Sequence, residues 1–160
     1  TNNLQKQDKE TIIIYRNYSS TKIEISRLIK LKNFLRRRGN KFFLANNFKL
    51  ALKLRLDGVY IPSFNKNLNH LAYSTFLNFA VVGSAHNLKE IRIKELQKVQ
   101  NIFISSLFKK NKNFLGFNRF KILAKYTKKK IVALGGISKK NIKKTKLTSV
   151  SCIAGITYFK

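Results

Sequence analysis

The sequence predicts a parallel α/β fold. Three observations predict it: short runs rich in Ile, Val and Phe, longer helical patterns between them, and runs that are continuously apolar rather than alternating. The runs are TIIIY (11–15), KFFLA (41–45), GVYI (58–61), FAVVG (79–83), NIFIS (101–105), KIVAL (130–134) and SCIAGI (151–156). Unbroken apolar character suits strands that are covered on both faces.

The connecting segments read as helices. Between the first two runs, STKIEISRLIKLKNFLRRRGN brings Ile25, Leu28, Ile29 and Leu35 near one helical face, with Ser20 or Thr21 to cap its start and Gly39 to stop it. NFKLALKLRL after Asn46, NLKEIRIKELQKV after His86, GFNRFKILAKY after Leu115 and SKKNIKKTKL after Ile137 are further helices. NLNHLAYSTFL is a weaker one. Two architectures fit this succession, an open doubly wound sheet and a TIM-type (β/α) barrel. No G-x-G-x-x-G or G-x-x-x-x-G-K-[ST] follows any strand, which weakens a nucleotide-binding open sheet.

Length bounds the answer to one domain. A polar tail over 1–10 precedes a single barrel domain over 11–160, and 44% apolar residues suffice for a core. No apolar run approaches the roughly 18 residues of a membrane span, and TNNLQKQDKE lacks the form of a signal peptide, so a cytoplasmic protein without membrane partners is expected. The lone Cys152 excludes an intrachain disulfide and a cysteine metal site. Its apolar setting predicts a buried structural thiol.

The net charge of +28 favours anionic partners, whether nucleic acid, acidic membranes or phosphorylated metabolites. A solvated lysine-rich surface weighs equally, because Lys, Asn, Ile and Phe are together abundant and share A/T-rich codons. Lys30, Lys32, Lys41, Lys53, Lys66, Lys89, Lys94 and Lys98 form no single stripe, and no recognised nucleic-acid motif is present, so a nucleic-acid partner is disfavoured. Six acidic residues, two of them in the tail, leave no poised pair for general acid–base work and no all-protein Mg²⁺ or Ca²⁺ cage. His70 and His86 have no evident carboxylate to orient them and no G-x-S-x-G elbow.

In a barrel, chemistry gathers where strands end. Gly135 and Gly136 in ALGGIS let backbone amides approach a phosphate, or form a tight βα turn capped by Ser138; the two readings stand level. AGITY offers the N–H groups of Ile156 and Thr157 to the same anion. VVGSAHN offers Ser84 and His86 as donors, with capping by Asn87 or packing of His86 as the alternative. SSLFKKNKNFLG is a longer βα loop whose lysines either close over a phosphate or stay solvated.

Read in order, these pieces resemble the thiamine-phosphate synthase/TenI family. DGVYIPS looks like its Asp-Gly-Val-His-Leu turn, VVGSAHNLKEI like its Gly-x-Ser-Ala-His-Ser element, FISSLFKK…LGFNRFKILAK like its Phe-Pro-Thr loop and following helix, and IVALGGISKKNI like its Ala-x-Gly-Gly-Ile-Thr segment. YRNY is similar to a divergent form of the first motif. The resemblance implies a barrel lacking the first strand–helix unit, and a transferase of thiamin biosynthesis that couples, or binds, hydroxymethylpyrimidine diphosphate and thiazole phosphate. By the same resemblance Arg16 and Ser84 are catalytic and Gly136, Ile156 and Thr157 bind the phosphate, while their places in the loop and at the strand ends assign Lys110 to catalysis and Gly135, His86 and Lys112 to substrate or phosphate binding. The motif's glutamine and lysine fall on Ile14 and Tyr18, its pyrimidine-side asparagine on Ala45, and the threonine of the loop on Lys110.

Mg²⁺ is the cofactor the resemblance implies, yet Asn46 and Asn65 stand where the family has its two metal-binding aspartates, and no metal ligand is assigned. The expected partners are a small phosphorylated substrate and a second copy in a homodimer. A non-catalytic phosphate-ligand-binding or regulatory protein on the same fold is the alternative, with a basic nucleic-acid-binding protein behind it.

Overall fold

A computed structural model describes residues 2–5, 7–18, 24–148 and 150–156. The elements in chain order are α1 (Asn2–Gln5), β1 (Ile13–Tyr15), α2 (Ile25–Arg38), β2 (Phe42–Ala45), α3 (Phe48–Lys53), β3 (Gly58–Ile61), β4 (Ala80–Ala85), α4 (Leu88–Leu96), β5 (Asn101–Ile104), α5 (Gly116–Lys125), β6 (Lys130–Leu134), α6 (Ile142–Thr145) and β7 (Cys152–Ala154). All seven apolar runs form strands. Contacts divide the chain into two compact units, Thr1–Ile61 with Asn69–Val81, and Pro62–Leu68 with Val82–Lys160.

In the first unit β1, β2 and β3 pair parallel and in chain order, with Ile13 opposite Phe42 and Leu44 opposite Val59. Every residue of β2 and β3 is buried, which is why these strands read as unbroken apolar runs. The carboxylate of Asp57 accepts the N–H of Phe42 at 2.8 Å while its own N–H donates to the Phe42 carbonyl, so this acid fixes the entry to two strands.

Helix α2 buries Leu28 and Leu35, two turns apart, and ends at Gly39 as expected. Ile25 and Ile29 are exposed, contrary to the expected face. Ile25 is the first helical residue, and Ile29 lies about 100° round the helix from Leu28. The caps expected from Ser20 or Thr21 lie outside the described residues. The polar start of the chain is held down: the buried Asn40 amide donates to the carbonyls of Asp8 and Thr11, and Arg38 donates to that of Gln7. The weak helix over 67–77 is reduced to a single 3₁₀ turn, Asn69–Ala72.

The second unit takes up β4 at Val82, and β4 to β7 pair parallel in chain order, with Ser84 opposite Phe103, Ile102 opposite Ile131 and Ala133 opposite Ile153. Its core is built from Ile91, Val99, Ile102, Ile104, Phe120 and Ile131. Lys94 is buried within it. Its ammonium donates to the carbonyls of Pro62 and Asn65 at 2.8 Å and to Gln97 Oε1 at 2.7 Å, while Gln97 Nε2 donates to the carbonyls of Asn65 and Asn67. Burial pushes this lysine down to about 8, although Glu90 nearby works in the opposite direction.

Helix α6 is one turn, not the helix expected over 138–147. Only Ile142 and Leu147 are apolar there, five positions apart, so no stripe exists to bury. Cys152 in β7 lines an open hollow beside the single turn of α6 and is exposed, which corrects the expectation of a buried thiol. Among the described residues no helix is long and apolar enough to cross a membrane.

Candidate functional site

The second unit gathers three strand ends around one loop. Strand β4 carries Ser84 inside it, buried, rather than in the turn that follows. The turn itself is pinned: Asn87 caps α4 by accepting the Glu90 N–H, and Glu90 reaches back to accept the His86 N–H at 2.7 Å. His86 is half-exposed, and its Nδ1 lies 2.8 Å from the Ser105 carbonyl and 3.1 Å from the Ser105 hydroxyl. A carbonyl only accepts, so Nδ1 carries the proton. In the neutral ring Nε2 therefore keeps its lone pair as an acceptor.

Past β5, Ser105 and Ser106 are buried and the loop 107–115 closes on Ser106, whose N–H donates to the Asn113 carbonyl and whose carbonyl accepts from Leu115 N–H. The Ser106 hydroxyl donates to the Lys109 carbonyl at 2.8 Å. The same loop docks on the end of β6: Leu107 N–H donates to the Leu134 carbonyl, and Phe108 and Lys109 N–H both donate to that of Gly135.

The two glycines make that docking feasible. Gly135 and Gly136 have φ of 106° and 75°, a backbone region that side chains disfavour. A Cβ on Gly135 would meet Ser106 Cα at 2.7 Å, and one on Gly136 would meet Lys109 N at 2.6 Å. The turn is then closed by Asn141, which accepts the Ser138 N–H and donates to the Gly136 carbonyl. So Ser138 contributes its backbone here, and Asn141 supplies the side chain that holds the turn. The loop backbone is anchored while Lys109, Lys110 and Lys112 remain exposed, free to meet an anion.

Ile156 is exposed just past β7, and Thr157 lies outside the described residues. Ser84, His86, Lys110, Lys112, Gly135, Gly136 and Ile156 all belong to this second unit, at or just beyond the ends of its strands. Sequence reasoning passed over Ser105 and Ser106 as individuals. Their signal was a polar pair directly after an apolar run.

Arg16 belongs to the first unit, just past β1. Its guanidinium lies 5.6 Å from the Tyr18 ring centroid and 5.8 Å from that of Tyr60, which is within cation–π range. Burial first, and then Tyr60, push the Tyr18 phenol up to about 12, against the opposing pull of Arg16. Asn46 follows β2 with φ of 58°, its N–H donating to the Tyr60 carbonyl. Tyr18 and Tyr60 thus flank Arg16, an arrangement that YRNY and GVYI do not show on their own.

Asn46 and Asn65 do not suit a divalent cation. Each offers a neutral amide oxygen where a carboxylate is wanted, and Asn65 Oδ1 already accepts the Asn67 N–H at 2.8 Å. Among the described residues no three His, Cys, Asp or Glu side chains come together as a metal group.

Parallel strands joined by helices, with glycine turns and cationic loops at their carboxyl ends, define a protein of the TIM-type α/β class. The family profile described as thiamine monophosphate synthase matches residues 4–159, and the chain belongs to that family. It is 25% identical over 124 residues to the thiamine-phosphate synthase of Methanococcus vannielii, a match that covers 72% of this chain and 58% of that protein. The chain therefore spans less than two thirds of that relative's length. Among solved structures it is similar to the thiamine phosphate pyrophosphorylase of Pyrococcus furiosus, with a TM-score of 0.75 and 22% identity over 92% of this chain and 72% of that one. FabK of Thermotoga maritima shares the fold at a TM-score of 0.71 and 12% identity, over 94% of this chain and 50% of that one.

Proposed function

We propose that the chain acts in thiamin biosynthesis as a thiamine-phosphate-synthase-like transferase, joining hydroxymethylpyrimidine diphosphate to thiazole phosphate. The observation that carries this reading is the family match over residues 4–159. The exposed lysines above the Gly135–Gly136 turn support it.

In this reading the backbone N–H groups of Gly136, Ile156 and Thr157 hold the thiazole phosphate, with Gly135 shaping the turn. Ser84 serves the diphosphate side, and Lys110 and Lys112 add charge from the loop. His86 offers Nε2 as an acceptor. In the first unit Arg16 is the cation of the first motif, held in orientation by Tyr18 and Tyr60.

The reaction forms one bond and breaks one. The thiazole nitrogen gives its lone pair to the exocyclic methylene carbon as the carbon–oxygen bond to diphosphate breaks, and the diphosphate leaves with that electron pair. Positive charge aimed at the departing oxygens lowers the barrier. Mg²⁺ would supply such charge where carboxylates hold it. Asn46 and Asn65 do not fit that role, so no step is assigned to a metal and the loop lysines carry the charge.

Those two asparagines also favour a second reading, a protein that binds the phosphorylated thiazole without turnover. An assay with both substrates, with binding of each followed separately by calorimetry, decides between them. Thiamine phosphate formation supports the synthase reading. Binding of thiazole phosphate alone selects the second, and binding of neither sinks both.

A further inference from the structure

The longest stretch of the chain without a charge runs from residue 67 to residue 88, 22 residues free of Lys, Arg, Asp and Glu in a protein that is 25% charged. Its part in the first unit exposes four apolar side chains within seven residues. Leu71, Tyr73, Phe76 and Leu77 are 41%, 43%, 44% and 88% exposed.

Tyr73 and Phe76 belong to an aromatic cluster. The buried Phe79 packs edge-on against Phe76 at 5.1 Å between centroids and against Phe48 at 5.4 Å, and Phe48 also meets Tyr73 at 5.7 Å. Exposed apolar side chains gathered in one short, uncharged segment mark an interaction site.

We infer that this aromatic patch is the interface of a twofold dimer with a second copy of the chain. Charge selects that occupant. A twofold interface sets each patch against itself, so lysines within it would bring the positive charges of both copies together with nothing acidic to offset them. With a net charge of +28, two copies repel almost everywhere, and they can approach closely only where charge is missing. An anionic partner would be drawn to the lysine-bearing surfaces, not to the segment that lacks them.

Sedimentation velocity on the full chain, across a concentration series at low and high salt, tests this. The expected result is a dimer of twice the 18.6 kDa chain mass that tightens as salt rises, because screening weakens the mutual repulsion. Leu77→Lys, and separately Tyr73→Lys, should each weaken it by at least about tenfold by placing like charges across the twofold axis. Circular dichroism of Leu77→Lys should match the unsubstituted chain, since Leu77 is 88% exposed, whereas Tyr73→Lys also gives up a ring contact with Phe48. Leu77→Ser repeats the test without a new charge and should weaken the dimer by a smaller factor. A chain that stays monomeric at all concentrations overturns the inference. So does a dimer indifferent to all three substitutions, or an assembly that loosens with salt, which would place a charged surface at the contact.

Discussion

The Nδ1 of His86 lies 2.8 Å from the carbonyl oxygen of Ser105, which joins the turn after β4 to the end of β5 through a proton on one named nitrogen. That bond fixes the tautomer and leaves Nε2 as the acceptor. Long-range nitrogen–proton NMR on the histidine ring should therefore show the Nδ1–H form of the neutral ring. His86→Ala should cost about 1 kcal/mol in urea unfolding, because it takes the donor from a buried carbonyl. A ring in the Nε2–H form would remove the basis for the acceptor role.

Gly136 stands against the backbone of Lys109 at a φ of 75°, so a methyl group there meets both a steric and a conformational obstacle. Gly136→Ala should destabilise the protein by about 2 kcal/mol and release the loop 107–115. Urea unfolding measures the first effect, and amide exchange at Phe108 and Lys109 the second. Unchanged protection at those two amides would mean that the glycine is not what permits the loop to dock. Thiazole phosphate affinity should fall with it, because the same turn carries the proposed phosphate donors.

Much of this architecture was legible in residues taken locally. The seven strands announced themselves because buried parallel strands need unbroken apolar runs, and GVYI and KIVAL form strands with the expected bounds. What failed depended on partners distant in sequence. Lys94 looks like any surface lysine until Pro62 and Asn65 supply carbonyls to it across some thirty residues. Asn40 gives no hint that it anchors the chain start. SKKNIKKTKL has helical propensity but no apolar stripe, so tertiary packing had nothing to extend beyond one turn. At the site the Gly-Gly turn was readable as a turn, and the loop that fills the space above it was not, since that contact joins the ends of β5 and β6.

Lys94 yields a prediction with a definite sign. Its folded value of about 8 lies below the ordinary 10.5, so between those pH values the unfolded chain holds a proton that the folded chain has given up. The unfolding free energy should rise with pH across that window, and the rise should vanish in Lys94→Met. The substitution should also cost about 3 kcal/mol near neutrality, because the Pro62 and Asn65 carbonyls and Gln97 Oε1 lose a charged donor inside the core. Guanidinium unfolding at several pH values checks both. A flat difference between the two proteins across the window would show that Lys94 keeps its proton throughout.

The last prediction concerns magnesium. Asn65 Oδ1 is engaged by the Asn67 N–H, and neither Asn65 nor Asn46 carries the charge a small hard cation needs to give up its water. If the lysines of the loop stabilise the departing diphosphate, coupling should persist when divalent cations are chelated, at a rate within about threefold of the untreated protein, equivalent to less than about 1 kcal/mol of barrier. Lys110→Ala, by contrast, should slow coupling by about a hundredfold, the scale expected when one charged donor to a transition state is removed. Restoring a carboxylate with Asn65→Asp should make the rate respond to added magnesium. The rate of thiamine phosphate formation with and without chelator, measured on all three proteins, separates the cases. Abolition of activity by chelation in the unsubstituted chain would return the metal to the mechanism and leave the lysines a supporting part.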